Sequence, residues 1–196
     1  MVTVGVDAAE VEQRLRTGRL ACPGCAGALA PWGHGRVRCL RGRDDERVEL
    51  WPRRGRCSGR CGRTHVLLPV SGVSRRADTV EVIGAALEAA ASGRGHRKIA
   101  EGLRRPPSTV RGWLRRFTAR ATAVTGVFTS LLVALTDDPD TALPMPGVSV
   151  LADAVAAVIA VGMATRNRFA MVMVPLWWTA CAVSGGFLLS PGWPPG

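Results

Sequence analysis

Five of the chain's six cysteines fall between Cys22 and Cys61, and four of these form two close pairs, Cys22-Pro-Gly-Cys25 and Cys57-Ser-Gly-Arg-Cys61. No other feature limits the fold as sharply. A glycine in each spacer lets the backbone turn tightly enough for both sulfurs of a pair to point at one place. Two such pairs supply four thiolates, the donor set of tetrahedral zinc. A closed set of four leaves no position for a substrate, so a structural ion is expected. The sequence around the pairs is rich in Gly, Pro and Arg and breaks into short apolar runs, ALAPW, GRVRCL, RVELWP and THVLLPV. These read as short strands joined by turns. So few large apolar side chains can hardly build a core, and a metal would supply the missing stability. Residues 21–72 are therefore read as a zinc ribbon held by Cys22, Cys25, Cys57 and Cys61. Cys39, His34 and His65 lie in the same stretch and stay open as alternatives for one ligand position. Cys39 is favoured as a buried strand residue, and His65 as a strand or turn residue. Cys181, alone in apolar sequence, reads as a small buried side chain.

Charge is distributed as unevenly as cysteine. The first 121 of the 196 residues carry 24 cationic and 11 acidic side chains, a net +13, and the remainder carries −2. Such asymmetry points to a polyanionic partner for the N-terminal part, nucleic acid or an anionic membrane surface. Arg53, Arg54, Arg56, Arg60 and Arg63 crowd the second cysteine pair, where they either track a phosphate backbone or form a solvated hairpin face. The start of the chain has acidic residues and no apolar run, so it reads as neither signal nor transit peptide. A cytoplasmic location follows, and in that reducing compartment paired cysteines argue for metal over disulfides.

Within residues 1–20, Val11 and Leu15 have helical spacing and Gly18 is a stop signal. From Asp78 to Ala121 the pattern predicts three helices: one with Val80, Ile83 and Leu87 on its buried face, a second marked by Ile99, Ala100 and Leu103, and a third with Val110, Trp113, Leu114 and Phe117. Ser92-Gly93-Arg94-Gly95 ends the first, Pro106-Pro107 stops the second, and Ser108 is placed to cap the third. HRKIAEGLRRPPSTVRGWLRRF follows helix-turn-helix spacing, so residues 78–121 are read as a helix-turn-helix domain. The N-terminal part of the third helix would enter a major groove, with Ser108, Thr109 and Arg111 at base edges or phosphates. Gly112, Arg115 and Arg116 share its outer face, where Gly112 would allow close approach to a backbone. Lys98, Arg104 and Arg105 are assigned to phosphates. Arg104 occupies the turn position usually held by Gly, so the turn is expected to be longer or differently shaped.

Residues 122–196 form an apolar, nearly uncharged C-terminal region, with buried helices expected at 148–164 and 169–189 and a loop at DDPDTALPMPG. The region either packs on itself or mediates a homodimer. A membrane hairpin is disfavoured by Asp153 and Pro175 within its spans, and by Arg166 and Arg168, which would fall in the connecting loop on the far side. The fold class is thus mainly α with a small β zinc ribbon. The remaining alternative is a ribbon that binds protein or RNA while the helices serve as scaffold.

CPGC, CGRTHVLLP followed by SRRAD, and HRKIAEGLRRPPSTVRGWLRRF together resemble a family of actinobacterial helix-turn-helix proteins of unknown function, over about residues 20–121. They are also similar to the zinc-ribbon and helix-turn-helix regions of some insertion-sequence transposases. The resemblance implies binding of double-stranded DNA, with Cys22, Cys25, Cys57 and Cys61 at the metal positions; the extra residue between Cys57 and Cys61 departs from the pattern. A transposase also needs a carboxylate-lined nuclease core. Beyond Ala121 the acidic residues are Asp137, Asp138, Asp140 and Asp153, three of them in one loop. The expectation is therefore a regulator or mobile-element accessory, not an enzyme.

Overall fold

The computed structural model describes residues 1–44, 46–137, 143–170 and 173–194. Its N-terminal third is built from β1 (Val2–Val4), α1 (Ala8–Arg16), β2 (Leu29–His34), β3 (Arg38–Arg41), β4 (Arg47–Leu50), β5 (Arg53–Cys57) and β6 (Thr64–Pro69). Asp7 caps α1 by accepting from the Ala9 and Glu10 amides at 2.8 and 3.2 Å. The helix stops where expected, at Gly18, whose φ of +68° suits a residue without a side chain. Strands β1, β6, β5 and β2 form one sheet in that order, and β3 and β4 pair as a separate antiparallel hairpin. The core under the sheet is small: Val4, Val11, Leu15, Leu20, Leu29 and Leu67 together with Cys22 and Cys57.

Two strands carry no signal of their own. β5, Arg-Arg-Gly-Arg-Cys, is fixed by pairing with β2 on one side and β6 on the other, while β1 is a three-residue parallel addition to β6. Gly55 in β5 has a packing reason, because a Cβ there would lie 3.1 Å from Leu15 and 3.2 Å from Leu29.

The helical body comprises α2 (Val80–Ala91), α3 (His96–Gly102), α4 (Pro107–Thr118), α5 (Ala121–Leu135), α6 (Val150–Phe169) and α7 (Leu176–Val183). One hydrophobic cluster runs from α2 to beyond α7. Val80, Ile83 and Leu87 of α2 meet Val110, Trp113 and Phe117 of α4, Val124, Phe128 and Leu132 of α5, and the Ala- and Val-rich face of α6. Residue 121 therefore does not divide two cores, and α5, not anticipated as a helix, belongs to the same core as α4.

The structure corrects three local expectations. The N-cap of α4 is Pro106, with Pro107 in the first turn; Ser108 lies inside the helix and makes no capping bond. Proline at the first helical position is pre-set in φ and lacks an N–H that would go unpaired there. The stretch 169–189 is not one helix, since α7 has 8 residues, starts after Pro175 and ends before Gly185 and Gly186, both at positive φ. Eight residues are fewer than a membrane span needs, and residues 171 and 172 lie outside the described residues. Arg166 and Arg168 sit in the last turn of α6 instead of a connecting loop, donating to the carbonyls of Val174 (2.6 Å) and Leu135 (3.3 Å). Among single unbroken helices of the described residues, α6 alone is long and apolar enough to cross a bilayer. Here it packs against α2, α4, α5 and α7.

The two parts are joined across β3. The Arg41 and Ala77 backbones are bonded, as are those of Thr79 and Arg41. Below them lies a buried ionic group: the Arg105 Nε donates to Asp78 Oδ1 at 2.5 Å, Arg41 to Asp78 Oδ2 at 2.9 Å, and Arg105 again to the Gly42 carbonyl at 2.7 Å.

Candidate metal centre and basic helix face

The four paired cysteines converge. Their Sγ atoms all lie within 4.8 Å of one another, with Cys22 to Cys61 at 3.5 Å, Cys25 to Cys57 at 3.4 Å and Cys25 to Cys61 at 3.3 Å. A disulfide needs about 2.05 Å, and all six cysteines are free. Four sulfurs at about 2.3 Å from one ion would sit about 3.8 Å apart, a spacing that falls between the short contacts of the tetrad and its 4.8 Å limit.

Local backbone chemistry explains the convergence. The first knuckle closes through Ala26 N to Cys22 O (2.8 Å) and Cys22 N to Gly27 O (2.7 Å). The second closes through Cys57 N to Arg63 O (2.8 Å), and it is tied to the first where the Ser58 amide and hydroxyl both reach Ala28 O at 2.9 Å. A Cβ on Gly27 would meet Cys57 Sγ and the Gly59 Cα at 3.1 Å, so the two knuckles touch glycine to glycine. Directly after Cys61 the chain turns at Gly62, with φ +58°.

Protons are shared unequally within the tetrad. Cys25 is lowered to about 6 by the Gly27 amide first and then by hydrogen bonds from Cys61 and Cys57. Cys61 is raised to about 12: the Arg63 amide lowers it, but the Cys25 hydrogen bond, desolvation and the other thiols outweigh that effect. One thiolate thus forms readily at the expense of its neighbours, and a divalent cation is what would deprotonate all four.

His65 stands where expected, as a strand residue, and its contact with the tetrad is what the sequence did not show. It lies buried in β6 with Nε2 3.3 Å from Cys22 Sγ and Nδ1 3.4 Å from the amino group of Met1. Burial first, then the positive charges of that amino group and Arg63, depress its pKa and favour the neutral ring. It supports a sulfur rather than replacing one. Cys39 is a strand residue as expected but is exposed, not buried, and His34 is exposed at the end of β2. Neither belongs to the tetrad. Of the nearby arginines, Arg53 is engaged with Glu12 at 2.7 Å and Arg56 lies 4.6 Å over the Trp32 ring, whereas Arg60 and Arg63 are exposed. The Arg53 hydrogen bond is the main reason the Glu12 carboxyl is lowered to about 2.

The second candidate site is the outer face of α4. Lys98, Arg104, Ser108, Arg111 and Arg115 are exposed, Thr109, Gly112 and Arg116 are half-buried, and Val110, Trp113 and Phe117 are turned fully inward. Arg104 has φ +51°, so the left-handed residue of the α3–α4 turn is an arginine where glycine is usual. Two assignments change. Arg105 cannot grip phosphate, because its guanidinium is 3% exposed and bound to Asp78, Gly42 O and Leu103 O. Gly112 is not an open approach to the backbone, since Arg116 folds back to donate to Gly112 O at 2.9 Å and would lie 2.8 Å from a Cβ placed there. Asp153 holds the Gly147 amide at 2.6 Å ahead of α6, and Asp138 and Asp140 lie outside the described residues.

Comparison with protein-family models, curated proteins and solved structures gives no match.

Proposed function

We propose that this protein binds double-stranded DNA, with α3 and α4 as a helix-turn-helix and with the sheet region as a zinc ribbon stabilised by a structural ion. The observation that carries the reading is α4 itself. A twelve-residue helix buries Val110, Trp113 and Phe117 on one side and offers Ser108, Arg111 and Arg115 on the other, with a net charge of +13 over residues 1–121 around it. Its N-terminal turn contains no acidic residue, so the partial positive charge of the helix start is not neutralised there. Arg111 and Thr109 are placed to read base edges, and Lys98, Arg104 and Arg115 to hold phosphates.

The four-thiolate set suits zinc by softness and by geometry, and its closure makes the ion structural. Beneath it lies a core of only eight buried residues, two of them cysteines, which is why metal is needed there. In this reading the protein acts in the cytoplasm as a regulator or mobile-element accessory. Exposed apolar residues of the C-terminal region, Val133, Met163 and Phe169 among them, supply a surface for a homodimer. Selection of bound duplexes from a random pool with the zinc-loaded protein tests the proposal. A recurring sequence motif is expected; a bound pool with no motif, and equal retention of heteropolymer RNA, would reject it.

A further inference from the structure

Between residues 74–76 and 187–193 lies a cavity of about 480 Å³ whose wall includes Ser74, Arg75, Arg76, Ser190, Phe187 and Trp193. The two sides are drawn together by the backbone bond from Ser74 N to Gly186 O at 2.8 Å. The lining holds two guanidinium groups and two hydroxyls. No side-chain carboxylate among the described residues lines it, and none forms an ion pair with Arg75 or Arg76.

Positive charge in this lining is not matched by an acidic partner among the described residues. The Arg76 Nε is buried and has no hydrogen-bond partner, although a buried guanidinium donor normally finds one. Outside the cavity, Arg38 donates to the Arg76 backbone carbonyl at 3.3 Å. Arg75 is kept in the left-handed region at φ +58°, a conformation a β-carbon resists. Burial and then the charge of Arg116 both disfavour the Arg76 cation. An anion in the cavity would offset the positive charge of Arg75, Arg76 and the nearby Arg116, and the Ser74 and Ser190 hydroxyls would offer it hydrogen bonds.

We propose that this cavity binds a phosphate group, clamped by Arg75 and Arg76 and by the hydroxyls of Ser74 and Ser190, with Phe187 and Trp193 as the apolar wall. The group has two possible sources, a free phosphate or phosphate monoester and the backbone of a bound duplex. Only the second rests on the DNA-binding reading.

Calorimetric titration of the zinc-loaded full chain with inorganic phosphate, at constant ionic strength and with chloride as control, tests the first source. Salt-dependent duplex binding tests the second. Arg76→Gln and Ser190→Ala are compared with the wild type after thermal unfolding shows that each is folded. With free phosphate as source, Arg76→Gln weakens phosphate at least tenfold, Ser190→Ala weakens it several-fold, and duplex affinity is unchanged. With the backbone as source, Arg76→Gln lowers the slope of log affinity against log salt by about one unit. Phosphate binding that is equal in wild type and Arg76→Gln overturns the proposal. So does an absence of phosphate binding combined with an unaltered salt slope, and neither result touches the assignment of α4.

Discussion

Replacing Arg105 by alanine should unfold the protein more easily rather than loosen its grip on a polyanion. The substitution removes a guanidinium that is 3% exposed and leaves Asp78, equally buried, with its Oδ1 unpaired. It also strips the donor from the carbonyls of Gly42 and Leu103. Removing one member of a buried pair costs about 3–5 kcal/mol, mostly the penalty of the abandoned charge. Arg41 still holds Asp78 Oδ2 at 2.9 Å, but from a side chain that is 44% exposed, so partial relief puts the loss near the low end, about 3 kcal/mol. For a chain of this length each kcal/mol moves the midpoint by about 2–4 °C, so Tm should fall by about 6–12 °C. The assay is thermal unfolding of the zinc-loaded protein followed by circular dichroism. Asp78→Ala alone should be strongly destabilising, and in the Arg105→Ala background it should cost much less, because the charge it removes is already stranded. A Tm unchanged within about 2 °C, together with weaker binding to every duplex and a lower salt slope, would refute the reasoning and return Arg105 to the phosphate contacts.

Metal analysis of the purified protein should give about one zinc per chain, and Cys22→Ser combined with Cys57→Ser should abolish it; full occupancy with an intact fold in that variant would dismiss the tetrad. Arg111→Ala should cost about 1–3 kcal/mol on the preferred duplex and blur selectivity at one base position, measured by competition with single-base variants of the site. Gly84→Ala would push a methyl group into the Trp177 indole, which lies flat on that glycine. A loss of about 1–3 kcal/mol is expected from overpacking, read as a lower denaturation midpoint at unchanged slope; a neutral result would show that Trp177 can move aside.

The four-cysteine cluster was legible because metal-binding chemistry asks for particular residue types at short spacing, and that demand is local. The buried faces of α2 and α4 were legible because Val80, Ile83, Leu87, Val110, Trp113 and Phe117 recur with the helical period. β5 was hidden because RRGRC has no alternation of its own and becomes a strand only through two neighbours. Arg104 and Arg105 are adjacent and identical in type, yet one is exposed and the other buried. What separates them is an aspartate 27 positions upstream and a carbonyl 63 positions upstream, and no local pattern encodes such pairings. The SRRAD run contained Asp78, but nothing nearby marked it as the partner of Arg105. His65 was weighed only as ligand or strand residue, and its actual place, a strand residue supporting a ligand, depends on the fold of β6 against the first knuckle.

The ionic group around Asp78 also bears on how the two parts of the chain hold together. Arg41 and Gly42 belong to the hairpin inserted between the two cysteine pairs, whereas Asp78 and Arg105 belong to the helical body. A break in the chain near residue 72 would part them, leaving Asp78 without Arg41 and the Arg105 guanidinium without the Gly42 carbonyl. Thr3 and Gly72 reach α7 across the same junction, through the Ala182 carbonyl and the Cys181 thiol. Cutting the chain at this junction removes hydrogen bonds from both sides at once, so the sheet region and the helices hold together as one unit.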